Sequence, residues 1–247
     1  MSALPRIRKR PTLRVLNVLL RPPRPSDKTD WLACGRNPEL VRLYGNNPDD
    51  LPPFKQEVNR WYAATRRDSL SWMIEADSRC IGHVRLHSLD APNRRARLAI
   101  GIFNPNYWGR GFGTEAVRLV LQHAFKGLNL HRVDLRTLSY NLRAIKSFEK
   151  CGFVREGVER ESALVSGRWE SDLLMSILEH EYRRVRTKHA EELYRTSEVS
   201  LERAAELAGL SVRAMMEHLR RRKIPSRYDR TSLQEDLASI KARARKK

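Results

Sequence analysis

The 247-residue chain carries 48 Lys and Arg against 29 Asp and Glu, a formal net charge of +19 that favours anionic partners: nucleic acid, a phosphorylated cofactor or an acidic protein. Its three cysteines, Cys34, Cys80 and Cys151, form no C-x-x-C pair and leave an odd count, which argues against a disulfide framework or a metal site and for a reducing, cytoplasmic setting. No stretch approaches the ~20 apolar residues that span a bilayer, so no membrane partner is expected, and the basic-then-apolar start is not read as a secretory signal.

Residues 1–11 read as a basic N-terminal arm. After it, "TLRVLNVLL" reads as one strand, and "RPPRPSD" as a turn leading into a helix. "PELVRLYG" and "FKQEVNRWYAATRR" are short helices separated by the proline- and aspartate-rich loop "NNPDDLPP". The period then changes: "LSWMIEA", "CIGHVRLHSL" and "RRARLAIGIF" follow with short turns between them, as in an antiparallel meander. A glycine-rich loop and a helix come next, then the strand "HRVDLRTL", the helix "NLRAIKSFEKCG", and two strands, "FVREGVERESAL" and "RWESDLLMSIL". From about Glu179 the sequence is charged and helical. The expected domains are 12–180, an α/β unit, then a helical linker at 181–196 and a small all-α unit at 197–247.

The loop "YWGRGFGTEAVRLVLQHAF" places three glycines just before a helix. Bare backbone N–H groups at a helix start, with no side chains to keep a ligand away, make an anion site that the helix dipole reinforces, and phosphate is its natural guest. A glycine-rich turn between strand and helix needs no ligand and remains open on these residues alone. The pattern is neither Walker A nor the dinucleotide fingerprint G-x-G-x-x-G.

"WGRGFG" after "RLAIGIF" resembles the acetyl-CoA loop of the GNAT N-acetyltransferases, Q/R-x-x-G-x-G/A, with Trp108 in the Q/R position. The branch that acetylates ribosomal-protein N-termini often has an aromatic there, so the resemblance implies that branch. "NLRAIKSFEKCGFVREG" is similar to the family's second block, N-x-x-A-I-x-x-Y-E-K-x-G-F-x-x-E-G, and stands in the right order after the first. The resemblance implies the GNAT fold: a mixed, mostly antiparallel central sheet flanked by helices. It further implies acetyl-CoA as acyl donor and a primary amine as acceptor, whether protein N-terminus, lysine, small amine or aminoacyl group. The backbone of Gly109, Arg110, Gly111, Phe112 and Gly113, with the helix start at Thr114, would hold the pyrophosphate. Ile102 and Phe103 would pair with the pantetheine, the way an added strand does. Asn141 would touch the cofactor from the other side, compatibly with capping its helix; Lys146 would reach a phosphate or stay solvated.

Two departures bear on the chemistry. Phe148 stands where the family has the tyrosine that protonates the leaving thiolate, so the ring is left as a cofactor contact and Tyr140 and Ser147 are the substitute donors. The strand "RRARLAIGIF" has no carboxylate, which moves the search for a base to His87, Asp90, Glu159 and Glu161. Glu115, in the first turn of a helix, is favourable there without any catalysis.

"SLERAAELAGLSVRAMMEHLRRRKIP" has Ser200 and Ser211 as caps, Gly209 in a turn and a basic second helix, which is helix-turn-helix spacing. With the sequence that follows it, this stretch resembles small prokaryotic antitoxin-like proteins, which implies binding to duplex DNA or to a protein. Arg213 and Arg220 are the expected nucleic-acid contacts, and a homodimer is the expected assembly, since one module covers a single half-site. The alternative to an enzyme is an acyl-CoA-sensing regulator, or an antitoxin-like DNA-binding protein, with little catalytic activity.

Overall fold

The structure, a computed structural model, describes residues 10–225 apart from Leu16. Most of the expected basic arm and the segment 226–247 lie outside the described residues. The chain divides after Tyr182 into two units.

The first unit is built on an eight-stranded sheet in the order β1-β2-β3-β4-β5-β6-β8-β7. These strands are β1 Leu13–Val15, β2 Val18–Arg21, β3 Ser71–Ala76, β4 Arg79–Asp90, β5 Arg95–Ile102, β6 Arg132–Leu138, β7 Val154–Val165 and β8 Arg168–Leu178. The expected single strand over "TLRVLNVLL" is two, because the chain reverses between Val15 and Val18, which face each other in the antiparallel register. The meander β3-β4-β5 is present as expected. Every neighbouring pair is antiparallel except β5 and β6. That parallel pair sets up the site described below.

Alternation along the strands gives the sheet two apolar faces. Trp72, Val84 and Ile100 stand in register on one face. Helix α4 (Phe112–Gln122) packs there, burying Ala116, Val117, Leu119, Val120 and Leu121. It continues into a π-turn, where His123 meets the Trp72 ring edge-on at 5.5 Å. The other face carries Met73, His83 and Gly101 in register. It is covered by α1 (Ser26–Cys34), α2 (Pro38–Leu43) and α3 (Phe54–Arg67), whose Trp31 and Trp61 close over Phe103 and His83. A buried ion cluster ties α1 to the sheet: Arg21 forks onto both Asp27 oxygens at 3.0 and 2.7 Å and also bonds Glu75. Burial opposes the Arg21 charge, but these carboxylates more than offset it and raise the guanidinium above its usual value.

In the second part of the chain, α6 (Glu179–Arg195) is followed by α7 (Leu201–Ala208) and α8 (Val212–Arg221). Ser200 and Ser211 cap α7 and α8 by accepting from Arg203 N and Ala214 N. Gly209 closes α7 in the left-handed region at φ 64°, where a side chain would be strained. Residues 181–196, expected as a linker, do more than connect. Ala190 and Tyr194 join Leu201, Ala204, Ala205, Ala208, Met215 and Leu219 in one apolar cluster, and Glu191 holds His218 at 2.7 Å.

Candidate active site

The parallel pairing of β5 with β6 runs only from Arg95↔Arg132 to Arg97↔Asp134. Beyond it, β5 stays on β4 as far as Ile102, while β6 stays on β8 as far as Leu138. The strands therefore part, and a cleft of about 890 Å³ opens between them. Phe103 N donates to Ile81 O on the β4 side. By the two-residue alternation, Leu98, Ile100 and Ile102 then turn their backbone groups toward the opening.

At the mouth of the cleft lies the glycine loop. Gly109 and Gly111 have φ of 73° and 88°, and apart from their chain neighbours nothing among the described residues lies within 4 Å of where their Cβ atoms would be. Gly111 caps α4, so the bare loop leads directly into the free N–H groups of an eleven-residue helix. This is the cradle an anionic group requires, and the residues fit a pyrophosphate-bearing donor. Trp108 fixes the loop to the end of β5: its indole N–H donates to Ile102 O at 2.8 Å, and the Arg143 guanidinium stacks 3.8 Å from its ring centre. An aromatic in the Q/R position thus has a local structural reason, since it spends a backbone acceptor of β5 that the opening exposes.

Of the residues expected at the cofactor, Ile102, Trp108, Gly109, Gly111, Gly113, Thr114, Asn141 and Phe148 line the cleft, and so does Lys146. Asn141 also caps α5 (Leu142–Lys150), its side chain accepting from Ala144 N at 3.2 Å. Phe103 does not line the cleft: its N–H is committed to Ile81, and its ring stacks on Trp31 at 5.2 Å. The side chains of Arg110 and Phe112 also point elsewhere, with the guanidinium 5.0 Å from the Phe112 ring centre, leaving these two residues only their backbone to offer.

The catalytic expectations divide in the same way. Ser147 lines the cleft, its hydroxyl 2.8 Å from that of Thr114, and Phe148 presents a largely buried ring beside it. Tyr140 lies outside the cleft; its hydroxyl donates to Arg42 O at 3.0 Å. Glu161 is exposed on β7, outside the cleft, with its backbone N–H donating to Ser171 Oγ. Among the candidate bases only His87 lines the cleft. Asp90 is tied to Asn93 and Arg95, and Glu159 lies 3.9 Å from Arg136. His87 Nδ1 is 3.0 Å from Ser88 Oγ. Burial, then the charges of Arg85 and Arg97, hold its imidazole below the ordinary histidine value, against weaker opposition from Asp134 and Asp68. His83, deeper on the same strand face, is pulled down to about 4 by burial and then by Arg85. Both rings are neutral at neutral pH.

Among the lining residues that were not anticipated from the sequence are Tyr44, Arg85 and Asp172. Tyr44, at the end of α2, places its hydroxyl where a side chain on Gly101 would stand. The residue as a whole is exposed, but its hydroxyl end is enclosed against the sheet, and that desolvation pushes the phenol above its usual range, with Arg85 opposing. A glycine inside a strand often marks such a close approach, so Gly101 was the available signal. Cys80 and Cys151 are buried, and burial raises both thiols, leaving neither as a ready nucleophile.

Residues 17–154 match the family model described as acetyltransferase (GNAT) domain, and residues 171–242 match an uncharacterised protein family, UPF0175. The chain is 34% identical over 103 residues to the probable N-acetyltransferase YjcK of Bacillus subtilis, a match covering 42% of this chain and 57% of that protein. It is 32% identical over 111 residues to the spermidine N(1)-acetyltransferase of Escherichia coli, covering 45% and 59%. The chain thus spans less than two thirds of the length of these two relatives. Among solved structures, spermidine N-acetyltransferase from Vibrio cholerae in complex with CoA and spermine superposes with a TM-score of 0.58 at 26% identity, covering 67% of this chain and 98% of that one. A putative acetyltransferase from T. thermophilus, at 23% identity, shares the fold with a TM-score of 0.65, covering 78% of this chain and all of that one.

Proposed function

We propose, from the premise that the chain belongs to the acetyltransferase (GNAT) family, that it transfers an acetyl group from acetyl-CoA to a primary amine. The observation that carries this reading is the parting of β5 and β6 beside a bare glycine loop at a helix start. The neutral amine attacks the thioester carbon, the C–S bond breaks, the amine loses a proton, and the sulfur leaves as a thiolate that is then protonated. Backbone N–H groups of β5 turned into the opening suit the oxyanion that develops. His87, neutral and in the cleft, is the proton acceptor. Ser147, next to Phe148 in sequence, and Thr114, whose hydroxyl is 2.8 Å from that of Ser147, offer hydroxyls on the cleft wall that Phe148 also lines, and the Phe148 ring has no proton to give. The aromatic Trp108 keeps a protein N-terminus among the candidate acceptors.

The test is release of free CoA thiol from acetyl-CoA by the full chain over a panel of amines. Acetyl-CoA binding measured by calorimetry with no release on any amine would favour the acyl-CoA-sensing regulator instead. Within the enzyme reading, Phe148→Tyr restores a phenol at the cleft wall. It should raise kcat by up to about tenfold, with acetyl-CoA affinity unchanged, if protonation of the thiolate limits turnover. Equal kcat in the two proteins would mean that the Ser147–Thr114 pair, or solvent, already suffices, or that protonation of the thiolate is not the slow step.

A second reading concerns the C-terminal helices: binding of duplex DNA by a homodimer. It is favoured by Arg213 and Arg220, two turns apart on α8 and exposed, while Met215 and Leu219 are buried. Arg213 already pairs with Glu217 at 3.3 Å, which a phosphate would have to displace. Replacing both arginines by alanine should weaken DNA retention and lower its salt dependence by about two phosphate contacts. Retention and salt slope equal to those of the parent would leave this part of the chain as a protein contact.

A further inference from the structure

Among the described residues four arginines line the cleft, and three of them have a carboxylate partner. Arg97 meets Asp134 at 2.8 Å, Arg136 meets Asp172 at 3.7 Å, and Arg143 meets Glu39 at 3.9 Å. Arg85 has neither an ion pair nor a hydrogen bond among the described residues, although it lies in the same concave wall. It stands on β4 between His83 and His87, on the strand face that they share, and in register with Ala99 of β5. Directly opposite it stand two small residues, Ala99 of β5 and Ser71 of β3. One pair along β5 on one side is Gly101, with the Tyr44 hydroxyl over it, and on the other side Arg97, which is drawn to Asp134. The guanidinium therefore overlooks open space floored by a phenol and flanked by two neutral imidazoles.

We infer that the acceptor carries a carboxylate or phosphate close to its reacting amine, and that Arg85 is the residue that holds this anion. The inference rests on the acetyltransferase reading. A planar guanidinium is matched to either group by paired N–H donors, and a cleft that sheds water on binding increases the cost of leaving the charge unanswered. Polycations are the converse case. Arg85, Arg97, Arg136 and Lys146 all line the cleft, and Asp172, already beside Arg136, is the one acidic side chain lining it among the described residues. A spermidine-like acceptor would meet like charge there, in contrast to the acceptor named for the Escherichia coli and Vibrio cholerae relatives. The same cations favour the neutral form of a bound amine, which is the form that attacks.

The experiment compares isosteric acceptors with the full chain and acetyl-CoA. The carboxylate arm is Ser-Glu-Gly amide against Ser-Gln-Gly amide, the phosphate arm is O-phosphorylethanolamine against ethanolamine, and spermidine is the polycation. The anionic member of at least one arm should exceed its neutral partner in kcat/KM by about tenfold or more, with the larger ratio identifying the anion, and spermidine should be the poorest acceptor. Arg85→Gln should collapse that ratio toward one. Arg66→Gln, which removes an exposed charge on α3, should preserve it and so separate local recognition from steering by the whole basic chain. Ratios near one in both arms, preference for spermidine, or a ratio that survives Arg85→Gln would each overturn the inference. If no amine is acetylated, the acetyltransferase reading fails. The anion site is then judged by calorimetry of Ser-Glu-Gly amide and O-phosphorylethanolamine on the CoA-loaded protein: binding that Arg85→Gln abolishes upholds it, and its absence, or equal binding in the variant, overturns it.

Discussion

Gly113→Val should weaken acetyl-CoA binding by about a hundredfold or more, while leaving the melting temperature unchanged or slightly raised. The two effects separate because Gly113, unlike Gly109 and Gly111, does not have a positive φ. Outside its own helix, a Cβ there meets among the described residues only Ile102 Cγ1, at an ordinary 3.8 Å, so the fold tolerates it, and a helix loses less backbone freedom with valine than with glycine. What the valine removes is close approach to the first turn of α4, where the pyrophosphate of the donor is proposed to lie. Gly111→Val is the weaker test, because at φ 88° a side chain strains the backbone whether or not a ligand is present. Calorimetry of acetyl-CoA beside a thermal melt decides the matter. Equal affinity in Gly113→Val and the parent would reduce the loop to a strand-to-helix turn.

The parts of this protein that could be read from the sequence are those whose cause is local. Ser200, Ser211 and Asn141 cap helices because their side chains reach an N–H three residues on, and each does so in the structure. The meander followed from short turns between alternating segments, and the glycine loop from residues whose φ only glycine adopts comfortably. The acceptor side of the cleft was not legible in the same way. Tyr44 enters from the end of α2, far in sequence from Gly101, and only the packing of α2 on the sheet brings them together. Tyr140 looked suitable because it immediately precedes the second motif, yet its hydroxyl is taken by a carbonyl on α2. Phe103 failed by parity: strand alternation sends its backbone toward β4, and a one-residue difference decides which side of a strand faces the cleft. Arg85 and His87 were two letters apart in "VRLHSLD", but pairing of the other cleft arginines with carboxylates is a tertiary fact, and it is what sets Arg85 apart.

Replacing His87 by glutamine should lower kcat/KM by about 10²- to 10⁴-fold at pH 7.5, the usual contribution of a well-placed proton acceptor. The loss should depend on pH with a definite sign. An imidazole accepts a proton only when neutral, so the parent holds its advantage above the His87 pKa and loses it as pH falls through that value. Burial and the Arg85 and Arg97 charges place the pKa below the ordinary histidine value of about 6.5, so the ratio of parent to variant should be flat at neutral pH and decline only in more acid solution. Using the ratio removes the ionisation of the acceptor amine, which both proteins share. Adding Arg85→Gln to the comparison supplies an internal check. Removing that cation should move the decline of the ratio to higher pH, because Arg85 is one of the charges that depress His87. A ratio near one at every pH would hand the proton to solvent, and a large ratio that does not vary with pH would make His87 a positioning residue held by Ser88 rather than the group that takes the proton.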